Sequence, residues 1–381
     1  MRILQVTPAF PPSAHGGIST HVGLLSRGLV SLGHDVSVAT TNRYDSKHVM
    51  PFSGLRQVDG VQVYYARAYW PGRYFFAPQV VRKIRDWASE ANVVHVHDTR
   101  TFVGLAAYFI AKDQPISYVL TCHGSLSTEI GSAPMKKLHD RLIGKGLVKR
   151  ASWIIALNEQ ERSDIVEFGI PPGKVVIVPN AIPLAAITTS EPPPQPEAHV
   201  EKSKTILYLG RIHPIKGIGR LINAFGLVEQ QHKDCRLLVV GQDHGAQRSL
   251  MRQVSNRGLG GKVEFPGPKY GIEKDQLLRS ADVLVLPSFR ETFPLVVLEA
   301  FAADLPVVAT DGCGIACELQ RSEAALIVSS TVEMAAAIER CLYDPSLARQ
   351  LRNNGRRLLK TSYNWDRALA KISSLYEDVA G

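Results

Sequence analysis

The chain has 381 residues, 45% hydrophobic and 21% charged, with a formal net charge of +9. That is too long for one comfortable hydrophobic core and free of biased tracts, so two α/β domains of roughly 180 residues each are expected. The five cysteines are scattered and odd in number, and neither they nor the Cys313 and Cys317 pair have the neighbours that a disulfide framework or a zinc site needs. No apolar stretch reaches the roughly 18 residues of a membrane span, and Met1 leads directly into strand residues rather than a signal peptide, so a cytoplasmic, non-integral protein is expected.

Short β-branched runs alternate with helical stretches from end to end, at 3–6, 36–40, 61–66, 93–97, 118–122, 153–157 and 175–178, then at 205–209, 237–240, 263–265, 283–286, 307–309 and 326–328. This is the pattern of parallel sheets wrapped by helices on both faces. After the first run comes His15-Gly16-Gly17-Ile18-Ser19-Thr20, followed by the helical spacing Val22, Leu25, Leu29, Leu32. It reads either as an ordinary tight turn or as a helix N-terminus where Gly16 and Gly17 let backbone amides approach a diphosphate. The aromatic stretch Tyr69, Trp70, Tyr74, Phe75 and Phe76 either packs as a cluster or stacks on a sugar or lipid. At the ends of two strands stand His97-Asp98 and His123-Gly124, the position where open α/β sheets meet their ligands.

Residues 1–183 hold 20 Lys and Arg against 13 Asp and Glu, a net of +7 that leaves +2 for the rest. Lys136, Lys137, Arg141, Lys145, Lys149 and Arg150, opposed by Asp140, lie among Met135, Leu138, Leu142, Ile143, Leu147 and Val148. Two readings of this basic amphipathic helix stay open, a solvated face over the core and a surface for an anionic membrane. Nucleic acid is not expected, because no binding motif or aromatic stacking pattern accompanies the charge. A proline-rich stretch at 190–196 marks the linker between domains or an insertion beside it, and two sheets so joined would bind ligand in the cleft between them.

In the second half, Gly210-Arg211-Ile212-His213-Pro214-Ile215-Lys216-Gly217 follows a strand directly. The two cations Arg211 and Lys216 can stabilise a departing pyrophosphate there without a bound metal, or can be plain surface charges. Next, Glu291-Thr292-Phe293-Pro294-Leu295-Val296-Val297-Leu298-Glu299 sets two carboxylates eight positions apart on a loop that runs into a helix, with Pro294 in its first turn. Glu291 is expected at the mouth of the cleft and Glu299 about a turn into the helix. The backbone amides of Phe293, Leu295 and Val296 are the donors a helix start leaves without partners.

These pieces, in this order, resemble the retaining nucleotide-sugar glycosyltransferases of the large family four, which have the GT-B fold of two Rossmann-like domains. The likeness rests on the glycine loop, His123-Gly124, Val178-Pro179-Asn180, Gly210-Arg211 with Lys216-Gly217, and the Glu291 to Glu299 spacing, and covers nearly the whole chain. It implies that Arg211 and Lys216 bind the donor diphosphate, Glu291 the sugar hydroxyls and Glu299 the ribose. It implies also that Gly16 and Gly17 close on the phosphates and that His123 hydrogen-bonds the transferred sugar near its reacting end.

Residues 1–184 would then form the acceptor domain, with its loops at 43–60, 69–79 and 124–135 supplying the acceptor contacts, 200–364 the donor domain, and the helix at 365–381 would pack back on the first. Two departures stand out: Asn180-Ala181-Ile182-Pro183 replaces the usual asparagine, glycine and later acid, and Asp311-Gly312-Cys313-Gly314-Ile315-Ala316-Cys317-Glu318 lacks the family's proline. The expected activity is retaining transfer of a hexosyl group from a nucleoside-diphosphate sugar to a hydroxyl acceptor, a lipid-linked saccharide or polysaccharide precursor such as that of lipopolysaccharide. No metal or other cofactor is expected. The rival readings are a nucleotide-sugar epimerase, a synthase of a small soluble glycoside, and a non-catalytic membrane-surface protein.

Overall fold

The computed structural model describes residues 1–13, 16–45, 48–69, 76–114, 116–126, 136, 139–183 and 203–381. His15, Trp70, Tyr74, Phe75, Met135, Lys137, Leu138 and the proline-rich 190–196 lie outside them. The chain divides into two compact units, Met1–Asn180 with Asp366–Gly381, and Ala181–Trp365.

In the first unit, the described elements run β1 (Arg2–Val6), α1 (Gly16–Ser31), β2 (Asp35–Thr41), β3 (Gly54–Val58), β4 (Val61–Ala66), α2 (Gln79–Ala88), β5 (Val93–His97), α3 (Phe102–Asp113) and β6 (Tyr118–Thr121). A π-helical turn (Asp140–Gly144) then leads into α4 (Lys145–Arg150), β7 (Trp153–Ala156), α5 (Glu159–Glu167) and β8 (Val175–Ile177). The eight strands lie in the order β3-β4-β2-β1-β5-β6-β7-β8. All pairs are parallel except β3 with β4. Every residue of β5 and β6 is buried, as a strand covered by helices on both faces requires. The strand order reverses between β1 and β5, so connections leave to opposite faces there and open a crevice at the strands' carboxyl ends.

The second unit contains β9 (Lys204–Leu209), α6 (Ile218–Gln231), β10 (Cys235–Val240), α7 (Gln247–Asn256), β11 (Val263–Gly267), α8 (Gly271–Ser280) and β12 (Val283–Leu286). It continues through α9 (Leu295–Ala302), β13 (Val307–Thr310), α10 (Ala316–Arg321), β14 (Leu326–Val328), α11 (Thr331–Tyr343) and α12 (Pro345–Thr361). Its sheet is wholly parallel, β11-β10-β9-β12-β13-β14, and reverses between β9 and β12. The last helix, α13 (Trp365–Ala380), belongs from Asp366 onward to the first unit, where Tyr376 is fully buried and Lys371 Nζ donates to the carbonyl of Ile177 at 2.9 Å.

Two expectations need correction. The stretch 43–60 is not all loop, for β3 and β4 form a hairpin through Asp59 and Gly60, both at positive φ (49° and 79°), the mirror-image turn that two-residue hairpins favour. The basic stretch is not a simple amphipathic helix either. Arg141, Lys145, Lys149 and Arg150 are exposed, but Lys136 is buried and Asp140 faces inward to Arg100, Nη2 to Oδ2 at 2.6 Å and Nε to Oδ1 at 3.1 Å. A buried carboxylate needs such a partner, and it turns this segment's polar face partly into the core.

Candidate active site residues

In the second unit the chemistry gathers at the carboxyl ends of β9 and β12. Past β9 the chain passes Gly210 and Arg211 into a single 3-10 turn, Pro214–Lys216, where His213 Nδ1 accepts from the N–H of Ile215 at 3.2 Å. Lys216 is thereby buried to 7% exposure, and its Nζ donates to Glu291 Oε2. The two residues are 75 apart in sequence and meet because β9 and β12 are neighbours.

Glu291 is fixed at its backbone as well: its N–H donates to the Gly312 carbonyl at 2.9 Å and its own carbonyl accepts from Gly314 at 2.7 Å. Tyr208, buried on β9, donates its hydroxyl to the carbonyl of Arg211 at 2.8 Å. Burial raises this phenol's pKa, the Glu291 charge raises it further and the Arg211 charge lowers it, which puts both charges within electrostatic reach of one side chain. Arg211 itself is exposed, and among the described residues its guanidinium has no hydrogen-bond partner.

Pro294 precedes α9 in extended conformation (φ −83°, ψ 99°) rather than sitting inside its first turn, so the helix starts at Leu295. The N–H groups of Leu295 and Val296 thus fall among those without intrahelical acceptors, while Phe293 and Leu295 are buried. Glu299 is one turn into α9, with its Oε1 accepting from Lys274 Nζ of α8 at 2.9 Å. It makes no hydrogen bond or ion pair with Arg211, Lys216 or Glu291. Lys274 gave no sequence signal, since a lysine on a helix is ordinarily a solvated charge. Cys313 is buried, with its thiol pushed up to about 12 by that burial, whereas Cys317 is exposed.

The first unit gathers histidines at the reversal between β1 and β5. Gly16 and Gly17 are exposed at the start of α1, and His21 is buried one turn further on. His97 ends β5, buried, with Nε2 at 2.7 Å from Gln5 Oε1 and Nδ1 at 3.1 Å from His123 Nε2. His123 sits in left-handed backbone (φ 51°) beside Gly124 (φ 75°) and is partly exposed. Burial holds the imidazolium form of His21 off, with its pKa pushed down to about 4, and drives those of His95, His97 and His123 well below the ordinary value. All four are neutral near pH 7. Among the described residues, ring nitrogens of His21, His97 and His123 lie within 4.8 Å of one another and are the group able to hold a metal ion.

Gln5, His21 and His95 were not singled out from the sequence. The available signal was a polar glutamine and histidine inside otherwise apolar strands, which are tolerated in a core only when hydrogen-bonded.

The His123-Gly124 turn is secured by Glu161. Asn158 caps α5 by accepting from Glu161 N–H at 2.8 Å, and the Glu161 carboxylate accepts from Leu157 N–H at 2.7 Å and Gly124 N–H at 2.5 Å. Burial pushes this carboxyl up to about 7 against the pull of those two donors. The folded state therefore keeps a proton that the unfolded chain loses near 4.5, and the stability so contributed, full below that value, is lost as pH rises through 7. Glu161→Gln should abolish a loss of about 3 kcal/mol across that window. Urea unfolding from pH 4.5 to 8 checks it; parallel curves for the two proteins would refute the assignment.

The family model described as Glycosyl transferases group 1 matches residues 190–358, and that described as Glycosyltransferase Family 4 matches residues 15–186. A phosphatidyl-myo-inositol mannosyltransferase of Mycolicibacterium smegmatis is 29% identical, over 100% of this chain and 95% of the relative. An uncharacterized glycosyltransferase of Methanocaldococcus jannaschii is 27% identical, over 99% and 98%. Among solved structures, a sucrose-phosphate synthase of Thermosynechococcus elongatus superposes with a TM-score of 0.80 at 21% identity, over 100% of this chain and 99% of that one. Anabaena HepE in complex with UDP-glucose gives 0.75 at 19%, over 99% and 100%. Both share its pair of parallel-sheet domains, the GT-B fold. With its two halves matched by these two models in turn, the chain belongs to the glycosyltransferases of the family-four type.

Proposed function

We propose that this glycosyltransferase moves a hexosyl group from a nucleoside-diphosphate sugar to a hydroxyl acceptor with retention at the anomeric carbon, using no metal. The observation that carries the reading is the Lys216–Glu291 pair beside the uncommitted Arg211 at the β9 and β12 ends. Two cations there, Lys216 held by Glu291 and Arg211 exposed with its guanidinium unengaged among the described residues, supply the charge that a departing diphosphate demands.

As the bond from C1 to the diphosphate oxygen breaks, its electron pair leaves with the diphosphate, held by Arg211 and Lys216 and by the amides at Gly16 and Gly17. The acceptor oxygen bonds to C1 on the same face, and its proton passes to a departing phosphate oxygen. Glu291 accepts from sugar hydroxyls, and the amides at Phe293, Leu295 and Val296, on the turn shaped by Pro294, donate to the sugar. Glu299 accepts from the ribose through Oε2, the oxygen that Lys274 leaves open. His123 contacts the transferred sugar near C1.

The acceptor is a lipid-linked saccharide or polysaccharide precursor met at the cytoplasmic face of the membrane. Support comes from the exposed Arg141, Lys145, Lys149 and Arg150, with Tyr69 and Phe76 also exposed on the first unit. The names of two relatives agree with parts of this, a UDP-glucose complex and a lipid-inositol acceptor. The test is nucleoside diphosphate release from uridine and guanosine diphosphate sugars, with lipid extracts or small soluble sugars as acceptors, and NMR of the product's anomeric carbon. Retention with the lipid acceptors supports the reading. An inverted product, or transfer to soluble sugars alone, overturns its mechanism or its acceptor class respectively.

A further inference from the structure

The histidines of the first unit belong to one chain of hydrogen bonds that starts on the last helix. Tyr376 of α13 accepts from Gln5 Nε2 at 3.1 Å and, at 2.6 Å, donates to His95 Nδ1. His95 Nε2 in turn donates to Thr121 Oγ1 at 2.8 Å. The amide of Gln5, its nitrogen turned to Tyr376, presents its oxygen to His97 Nε2 at 2.7 Å. An amide oxygen only accepts, so His97 Nε2 carries the proton. Because His97 is neutral, its Nδ1 is bare and must accept across the 3.1 Å contact, so the proton there belongs to His123 Nε2. That leaves His123 Nδ1 bare, and among the described residues it has no partner.

Each link admits only one other setting. If the Gln5 amide turned over, its nitrogen would donate to His97 Nε2, His97 would donate from Nδ1, and His123 would carry its proton on Nδ1. The two settings present opposite atoms to a ligand, an acceptor in the first and a donor in the second. Tyr376 ties the Gln5 amide to His95, since turning the amide over would also require the hydroxyl to donate to Gln5 and His95 to move its proton to Nδ1.

We infer that Tyr376, Gln5 and His97 are positioning residues for transfer: they hold His123 as the tautomer whose bare Nδ1 accepts a hydrogen bond from a hydroxyl of the donor sugar. This rests on the proposed contact between His123 and that sugar, yet the tautomer itself can be read without any substrate. The unpartnered, buried Nδ1 of His21, whose ring centre is 5.4 Å from that of His123, is a further polar atom at the same place.

The test uses the full chain labelled with 15N-histidine. Long-range proton–nitrogen spectra distinguish the two tautomers, and His123→Gln identifies the His123 signals. Wild type should show the proton on Nε2. Tyr376→Phe, which removes the hydroxyl, and Gln5→Met, which removes the amide, should each move a large share of it to Nδ1 and lower kcat about tenfold with little change in KM, the worth of one hydrogen bond made to the reacting sugar. Tyr118→Phe is the control: its equally buried hydroxyl donates to the Leu147 carbonyl outside the chain of bonds, so the tautomer should stay.

An unchanged tautomer in both variants overturns the inference, as does a change in the control of the same size. A shifted tautomer with undiminished transfer overturns the sugar contact while the positioning stands. A shifted tautomer in a protein that transfers no sugar overturns the proposed function alone.

Discussion

Lys216→Met should lower kcat for sugar transfer by about a thousandfold, on the order of 4 kcal/mol, the loss found when one pre-aimed group that meets developing charge is removed. The side chain is held by more than its partner. The 3-10 turn Pro214–Lys216 fixes its backbone, burial fixes its stem, and Glu291, whose side chain is 20% exposed, fixes its ammonium. Nothing needs to reorganise when a diphosphate arrives, and a desolvated cation acts on it more strongly than one in water.

The same substitution strands the Glu291 carboxylate, so a loss of activity could come from a displaced glutamate rather than a missing cation. Two comparisons separate these causes. Glu291→Gln keeps Lys216 and should preserve the thermal stabilisation given by a bare nucleoside diphosphate, which Lys216→Met should lose. If UDP and GDP both stabilise Lys216→Met as they do the wild type, Lys216 does not hold the diphosphate. The double variant tests coupling: the two losses should add to less than their sum, since residues in direct contact share an effect.

What the sequence told beforehand divides along physical lines. Runs rich in Val, Ile and Leu bounded by turns marked thirteen of the described strands, most clearly those covered by helices on both faces. Strand β3 escaped for the opposite reason. It is an edge strand with its residues largely exposed, so it has no apolar run, and the available signal was the Asp59-Gly60 turn.

Lys216 and Glu291 were legible as candidates because each follows a strand of the second half, and parallel topology puts the ends of β9 and β12 side by side. Partners set by long-range packing were not legible: Lys274 for Glu299, Arg100 for Asp140, and Gln5 and Tyr376 for the histidines. Nothing in local spacing encodes a bond between residues 5 and 376. Pro294 was placed one position too deep, since a proline suits the cap as well as the first turn and its ψ depends on the loop before it.

Gly217→Ala is expected to cost the second unit about 3 kcal/mol or more, among the larger losses a single methyl group can cause. Two terms add. Gly217 has a φ of +64°, where a residue with a Cβ costs roughly 1 to 2 kcal/mol. The added Cβ would also lie 2.0 Å from the carbonyl oxygen of Pro287, a backbone atom that cannot swing aside. Pro287 begins the segment that carries Ser288 through Glu291, and the Phe289 N–H is tied to the Ile215 carbonyl at 2.9 Å. Relief of the clash must therefore pull the Glu291 segment away from the Lys216 turn. Gly245→Ala isolates the first term, because Gly245 also has positive φ (+95°) but nothing lies within 4 Å of its Cβ position. Gly217→Ala should unfold at clearly lower urea than Gly245→Ala and lose transfer activity at temperatures where both are folded. Equal midpoints for the two would mean that the Pro287 contact relaxes freely, and the rigid seat argued for the Lys216–Glu291 pair would have to be abandoned.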